Sequence, residues 1–148
     1  MIIRDAIIDD VLIMKEHHDR AIMKLCRNDY TLQQLERWIN KSPLEKYCWR
    51  LETQRIFIAE QDGRMLGYVR WYPETNELCS ICVETKFARQ GIGPSLWSML
   101  AHKGITEDPD LIIKLRGYLN YRDVIGQREN QFKINKHPFH LHRRGCQE

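Results

Sequence analysis

The sequence holds no apolar run near the roughly 20 residues that a membrane-spanning helix requires, and its opening M-I-I-R-D-A lacks the basic region and long apolar stretch of a secretory leader. We therefore expect a cytoplasmic chain with no membrane partner. Cysteines number only five, at irregular spacing in a chain long enough to need no staples, which weighs against a disulfide framework and for reduced thiols. Charge of one sign is also scarce. The formal net charge of +3 falls far below the basic footprint of a dedicated nucleic-acid binder, yet suits an anionic ligand. There is no internal repeat and no low-complexity segment. What is present is 43% hydrophobic residues in 148, enough for one core that buries about two-thirds of the unfolded surface. A single domain over residues 1–148 is expected, with residues from about 133 to 148 forming a basic tail.

Hydrophobic spacing divides the chain. Ile2, Ile3, Ile7 and Ile8 read as a strand turning into a helix capped by Asp9 or Asp10. Val11, Met14, His18, Ala21, Ile22 and Leu25 keep helical spacing, which carries the helix to about Cys26, with His18 packed and His17 facing water or an acceptor cleft. A second helix follows, capped by Thr31, with Leu32, Leu35, Trp38 and Ile39 on one stripe. Pro43 is read as closing it, with a loop to about Glu52. From Arg55 the period changes to that of strands. R-I-F-I-A-E and M-L-G-Y-V-R-W-Y flank an Asp62-Gly63 turn, and E-L-C-S-I-C-V, from Glu77 to Val83, makes a third strand of an antiparallel meander. A helix is expected from Ser95 to about His102, stopped by Gly104, then a buried strand from Asp110 to Leu115. Beyond Gly117 the pattern weakens to a short helix over 120–130 and a last strand from Phe132 to Ile134.

Between the meander and the fourth helix lies K-F-A-R-Q-G-I-G-P-S-L, residues 86–96. Gly91 and Gly93 permit backbone angles closed to other residues and let a ligand approach the main chain, while Pro94 suits the first position of a helix. A helix start offers unpaired N–H groups and the positive end of the macrodipole, both favourable to a phosphate. An isolated G-x-G is also consistent with a plain tight turn.

The order of elements and the run I-C-V-E-T-K-F-A-R-Q-G-I-G-P-S-L together resemble the GNAT superfamily of acyl-CoA-dependent N-acyltransferases. The resemblance spans nearly the whole chain. It implies an α+β fold in three layers, a mixed central sheet flanked by helices, in which the meander leads into a β-loop-α-β unit that binds acyl-CoA. It also implies acetyl-CoA as co-substrate, an amine acceptor and no metal, with a homodimer allowed. Main-chain N–H groups from Arg89, Gln90, Gly91, Ile92, Gly93 and Ser95 would then hold the pyrophosphate, while Ile81, Cys82 and Val83 would line the pantetheine arm. Pro94 offers no N–H, and Ala88 stands where the family usually has glutamine or arginine.

Acyl transfer to an amine needs a base, an oxyanion donor and an acid for the thiolate. The resemblance points to Glu77 as base, expected on one face with Cys79, Ile81 and Val83, although a solvated carboxylate is the plain alternative. The oxyanion donor would be a main-chain N–H near Cys82 or Val83. For the acid, Tyr121 or Tyr118 stands in for a family tyrosine replaced here by Gln127; otherwise water serves. Asn120 and Phe132 match other positions of that C-terminal motif. Trp38, Trp49, Trp71 and Tyr72 are candidates to wall an acceptor site. Cys79 and Cys82 form C-x-x-C on opposite strand faces, and His137, His140 and His142 lie in the basic tail, so neither set is read as a metal site. The alternatives kept are an acyl-CoA-binding sensor without turnover and an acetyltransferase acting on charged tRNA.

Overall fold

The computed structural model describes residues 1–113 and 133–134. Six strands form one sheet in the order β1 (Ile2–Asp5), β2 (Arg55–Gln61), β3 (Arg64–Tyr72), β4 (Glu77–Val83), β5 (Ile112–Ile113) and β6 (Lys133–Ile134). The first four pair antiparallel, whereas β4–β5 and β5–β6 are parallel. Helices α1 (Asp10–Leu25), α2 (Leu32–Asn40) and α3 (Leu44–Thr53) separate β1 from β2, and α4 (Ile92–His102) carries the chain from β4 to β5. This is the expected mixed α+β architecture. No described helix is long and apolar enough to cross a membrane.

Local chemistry explains most boundaries. Asp62 and Gly63 both adopt left-handed angles, as a two-residue hairpin turn demands, and join β2 to β3. Thr31 and Gln34 cap α2 reciprocally, while left-handed Gly104 follows the end of α4. Asp9 occupies the N-cap of α1 but makes no side-chain cap. The Asp10 side chain does not cap the helix either; it ties the β1–α1 turn together, accepting from Ile7 N at 2.8 Å and from the Arg4 guanidinium.

One expected loop is a helix. Pro43 does not merely stop α2; in an extended conformation it serves as N-cap of α3. Proline suits the start of a helix as well as its end. Leu44, Tyr47, Cys48 and Leu51 supply the apolar period, and Tyr47 is fully buried.

Two cores lie on opposite faces of the sheet. On one, α4 packs Ile92, Leu96, Trp97 and Leu100 against Phe57, Ala59, Val69, Leu78 and Ile81. On the other, Val11 and Met14 of α1 and Tyr47 of α3 meet Ile56, Ile58, Tyr68 and Cys82.

Candidate functional site

The loop between β4 and α4 begins with a short 3₁₀ turn, Thr85–Phe87, and then turns sharply. Arg89 is left-handed at φ 67°, and Gly91 is left-handed at φ 83° as the N-cap of α4. The helix therefore starts at Ile92, three residues before the expected Ser95, and Pro94 stands third in the helix rather than first. The helix N–H groups without intrahelical partners are those of Ile92 and Gly93, since proline has none. Ser95 is already engaged: its N–H and hydroxyl both donate to the Gly91 carbonyl, at 3.0 and 2.9 Å. Among the expected phosphate donors, Ser95 thus belongs to the helix ladder, while Arg89, Gln90 and Gly91 are exposed around the helix start. A Cβ placed on Gly91 would meet nothing within 4 Å, so the space above the turn is open to a ligand. Ile92 and Gly93 are buried and anchor it to the core.

One cleft borders this turn and a second lies by the start of the loop. One of about 310 Å³ lies between the β2–β3 turn and the loop, lined by Asp62, Arg64, Leu66, Phe87 and Gln90. The other, about 640 Å³, lies between α1 and α2 beside Thr85 and presents Arg20, Lys24 and Arg27. A phosphate-bearing group fits these surroundings: open glycine backbone, the positive end of α4 and nearby cations.

The strand that feeds the loop is largely core. Ile81 and Cys82 are buried on opposite faces and Val83 is half-buried, so only their main chain is in a position to meet an arm laid along β4. Among the described residues β5 pairs with β4 only at Glu77 and Leu78.

Glu77 is displaced from the face expected of it. The β3–β4 register pairs Arg70 with Ser80 but Trp71 with Leu78, leaving Cys79 as an extra, bulged residue. Leu78 consequently joins Ile81 in the α4-side core, although the two are three residues apart. Glu77 then falls opposite Tyr72, on the α1/α3 face with Ser80, Arg70 and Cys82, not with Ile81 and Val83. Glu77, Arg70, Ser80 and Tyr72 are all half-buried, so this strip of the face is partly open.

A buried ionic cluster at the end of β4 was not foreseen. Glu84, 3% exposed, accepts from Arg20 Nη2 at 2.6 Å and from its own neighbour Thr85 N at 2.9 Å. His17 Nε2 lies 3.1 Å from the same carboxylate. His17, expected to face water or an acceptor cleft, is thus buried, and His18, packed edge-on against Tyr47 as expected of a packed residue, is half-buried. Burial depresses the His17 pKa despite the attraction of Glu84. Burial opposes ionisation of Glu84 too, but its hydrogen bond from Arg20 and the charges of His17 and Arg20 together hold the carboxyl below its ordinary range. The signal existed in the sequence: His17 and Arg20 share a helix face, and Glu84 directly follows the strand.

The aromatic candidates scatter. Trp71 packs on the α4-side core and Trp38 beside Tyr30, whereas Trp49 is exposed and Tyr72 stands across from Glu77. Among the described residues no three metal-ligating side chains converge. Tyr118, Asn120, Tyr121, Gln127, Phe132, His137, His140 and His142 lie outside the described residues.

Comparisons with known proteins agree on the fold. The family model described as an acetyltransferase (GNAT) domain matches residues 26–118. The chain is similar to a GCN5-related N-acetyltransferase from Rhodopseudomonas palustris, at 20% identity and a TM-score of 0.63, over 72% of this chain and 66% of that one. It is equally similar to the PaiA N-acetyltransferase of Thermoplasma acidophilum in complex with coenzyme A, at 19% identity and a TM-score of 0.63, over 72% of each chain. No curated protein matches the sequence significantly.

Proposed function

Because the chain belongs to the GNAT acetyltransferase family, we propose that it transfers an acetyl group from acetyl-CoA to a primary amine by direct attack. The observation that carries this reading is the open, left-handed Gly91 at the start of α4, placed directly after the strand that ends at Val83. Main-chain N–H groups of Gln90, Gly91, Ile92 and Gly93 hold the pyrophosphate, with Arg89 adding charge. The Ile81–Val83 backbone aligns the pantetheine arm, and a main-chain N–H at Cys82 or Val83 steadies the oxyanion as the amine adds to the thioester carbonyl. Glu77 takes the proton from the amine; its half-buried place on the Arg70 face puts it on an accessible strip of the sheet. Collapse of the tetrahedral intermediate breaks the C–S bond, and the thiolate takes a proton from Tyr121, from Tyr118 or from water. Asn120 joins the coenzyme side.

A second reading, an acyl-CoA-binding module without turnover, is favoured by one feature. Ala88 supplies no side-chain donor to the loop, and its N–H turns inward to the Thr85 carbonyl at 3.4 Å. Titration of acetyl-CoA by calorimetry tests the common premise. Micromolar binding abolished in Gly91→Glu supports the cradle, and absence of binding to the unaltered chain ends both readings. Release of free thiol in an amine screen then separates the two, and a Glu77→Gln variant with an unchanged pH–rate profile removes Glu77 as base.

A further inference from the structure

The α1/α3 face holds a charge that no carboxylate among the described residues answers. Arg50, in the last turn of α3, is 9% exposed, yet among the described residues no carboxylate pairs with it. Its guanidinium lies 4.7 Å from the centre of the buried Tyr47 ring. Burial and a second cation, Arg70 of β3, which pairs with Ser80 across the ladder, both oppose that charge, and the groups that favour it are the neutral hydroxyls of Tyr47 and Tyr68. Among the described residues Arg70 donates to neutral groups, to Gln54 Oε1 at 2.9 Å and to Ser80 Oγ at 3.4 Å. His18 packs against the same Tyr47 ring and feels both arginines; of the anions on this face, Asp19 is bound to Lys15 and lies beside His18, and Glu77 stands opposite Tyr72, two residues along β3 from Arg70. Other arginines near the sheet do find carboxylates at short range, as in Arg4 with Asp10 and Glu60 or Arg20 with Glu84. Two neighbouring guanidinium groups, one of them nine-tenths buried, are costly unless an anion joins them.

Their placement says which anion. Arg70 projects from the same face as Glu77, and the residues opposite them on the ladder, Ser80 and Tyr72, lie on that face as well. Along β3 the steps from Arg70 to Tyr72 amount to about 7 Å, the span of a small bifunctional molecule. We propose that Arg50 and Arg70 form the anion-binding end of the acceptor site, so that the acceptor is an amine bearing a carboxylate or a phosphate. This assignment rests on the acetyltransferase reading for its second end, the amine at Glu77. The anion clamp itself stands on the unanswered charge alone.

Thermal unfolding in inorganic phosphate against chloride at matched ionic strength tests the clamp without any turnover. Phosphate is expected to raise the melting temperature of the unaltered chain, and the part of that rise that remains with the loop cradle blocked by Gly91→Glu is expected to vanish when Arg50→Met is added. Arg50→Met should also melt higher than the unaltered chain in chloride, because an unpaired buried charge is replaced by an apolar chain of similar length. In Gly91→Glu the phosphate response should persist. A lower melting point for Arg50→Met in chloride would make Arg50 a structural residue and overturn the proposal. So would a phosphate response that is lost in Gly91→Glu or that survives Arg50→Met in the Gly91→Glu background, or an unaltered chain indifferent to phosphate. The acceptor class is read separately, by comparing β-alanine with β-alaninamide and O-phosphoethanolamine with ethanolamine. The anionic member of each pair should show a kcat/KM higher by about tenfold or more, a preference that collapses in Arg50→Met while acetyl-CoA affinity stays unchanged. Weakened acetyl-CoA binding with amine preference intact would assign the arginines to the coenzyme's phosphates and sink the proposal. A chain that binds no acetyl-CoA but keeps its Arg50-dependent phosphate response loses the acetyltransferase reading and retains the clamp.

Discussion

The two faces of the sheet are built from different materials. The α4 face is a continuous apolar contact in which Leu96, Leu100, Leu78 and Val69 are fully enclosed. The α1/α3 face has a smaller apolar cluster, and it also takes in His17, Arg50, Tyr47 and Tyr68, with Glu84 and Arg20 at its rim. A dry face is the cheapest way to hold a sheet together, because every buried polar group needs a partner. Polar groups concentrated on one side therefore mark the side where chemistry is expected, and the α4 face serves as the scaffold that keeps it in place.

That contrast can be broken in graded steps. Leu100→Ala on the scaffold face is expected to cost about 3 kcal/mol, read by denaturant unfolding, with acetyl-CoA affinity unchanged in whatever fraction stays folded. Gly67→Ala should cost roughly 2 kcal/mol, since a Cβ there would sit 2.5 Å from the Cys82 carbonyl oxygen and force β3 from β4. On the polar face, Glu84→Gln removes the charge that Arg20 and His17 share and should cost about 1–2 kcal/mol, with a loosened loop entry visible as faster hydrogen exchange at Thr85. The same face governs acid sensitivity. His17 and His18 are kept neutral by burial, so the unfolded chain binds protons that the folded one refuses, and stability should decline as pH falls below 6.5. Glu84, whose folded carboxyl sits below 4.5, adds a further loss as pH falls through its folded value. A melting temperature flat from pH 7 to pH 5 would contradict the burial of both histidines. Thr31→Ala, which touches neither face, should cost only about 1 kcal/mol through loss of the α2 cap.

The strands β2 to β4, the Asp62-Gly63 turn, the Thr31 cap and the Gly104 stop were legible because each rests on local chemistry that a short window contains. Helix α3 was hidden by Pro43, since proline at a helix boundary does not say which helix it borders. The start of α4 was misplaced because Gly91, rather than a side-chain cap, opens it, and glycine announces a turn without fixing its register. His17 looked like a surface residue beside an apolar His18; only the arrival of Glu84 from 67 positions along the chain draws it inward. The unanswered charge of Arg50 was illegible for the same reason. Its neighbours on β3 and α1 are set by tertiary packing, which no helical or strand period encodes.

The extra residue at Cys79 reaches beyond the orientation of one carboxylate. Strand alternation resets at that point, so adding or removing a single residue between Leu78 and Ser80 would exchange the sides of the sheet to which Glu77 and Leu78 belong, while leaving β3 untouched. A family that tolerates such length changes has a way to trade an acid for an aliphatic group in its cleft without substituting either one. Matching strand residues one for one against a relative that lacks this extra residue would pair the wrong side chains upstream of the bulge, and a glutamate shared at that column would then be no evidence of a shared base.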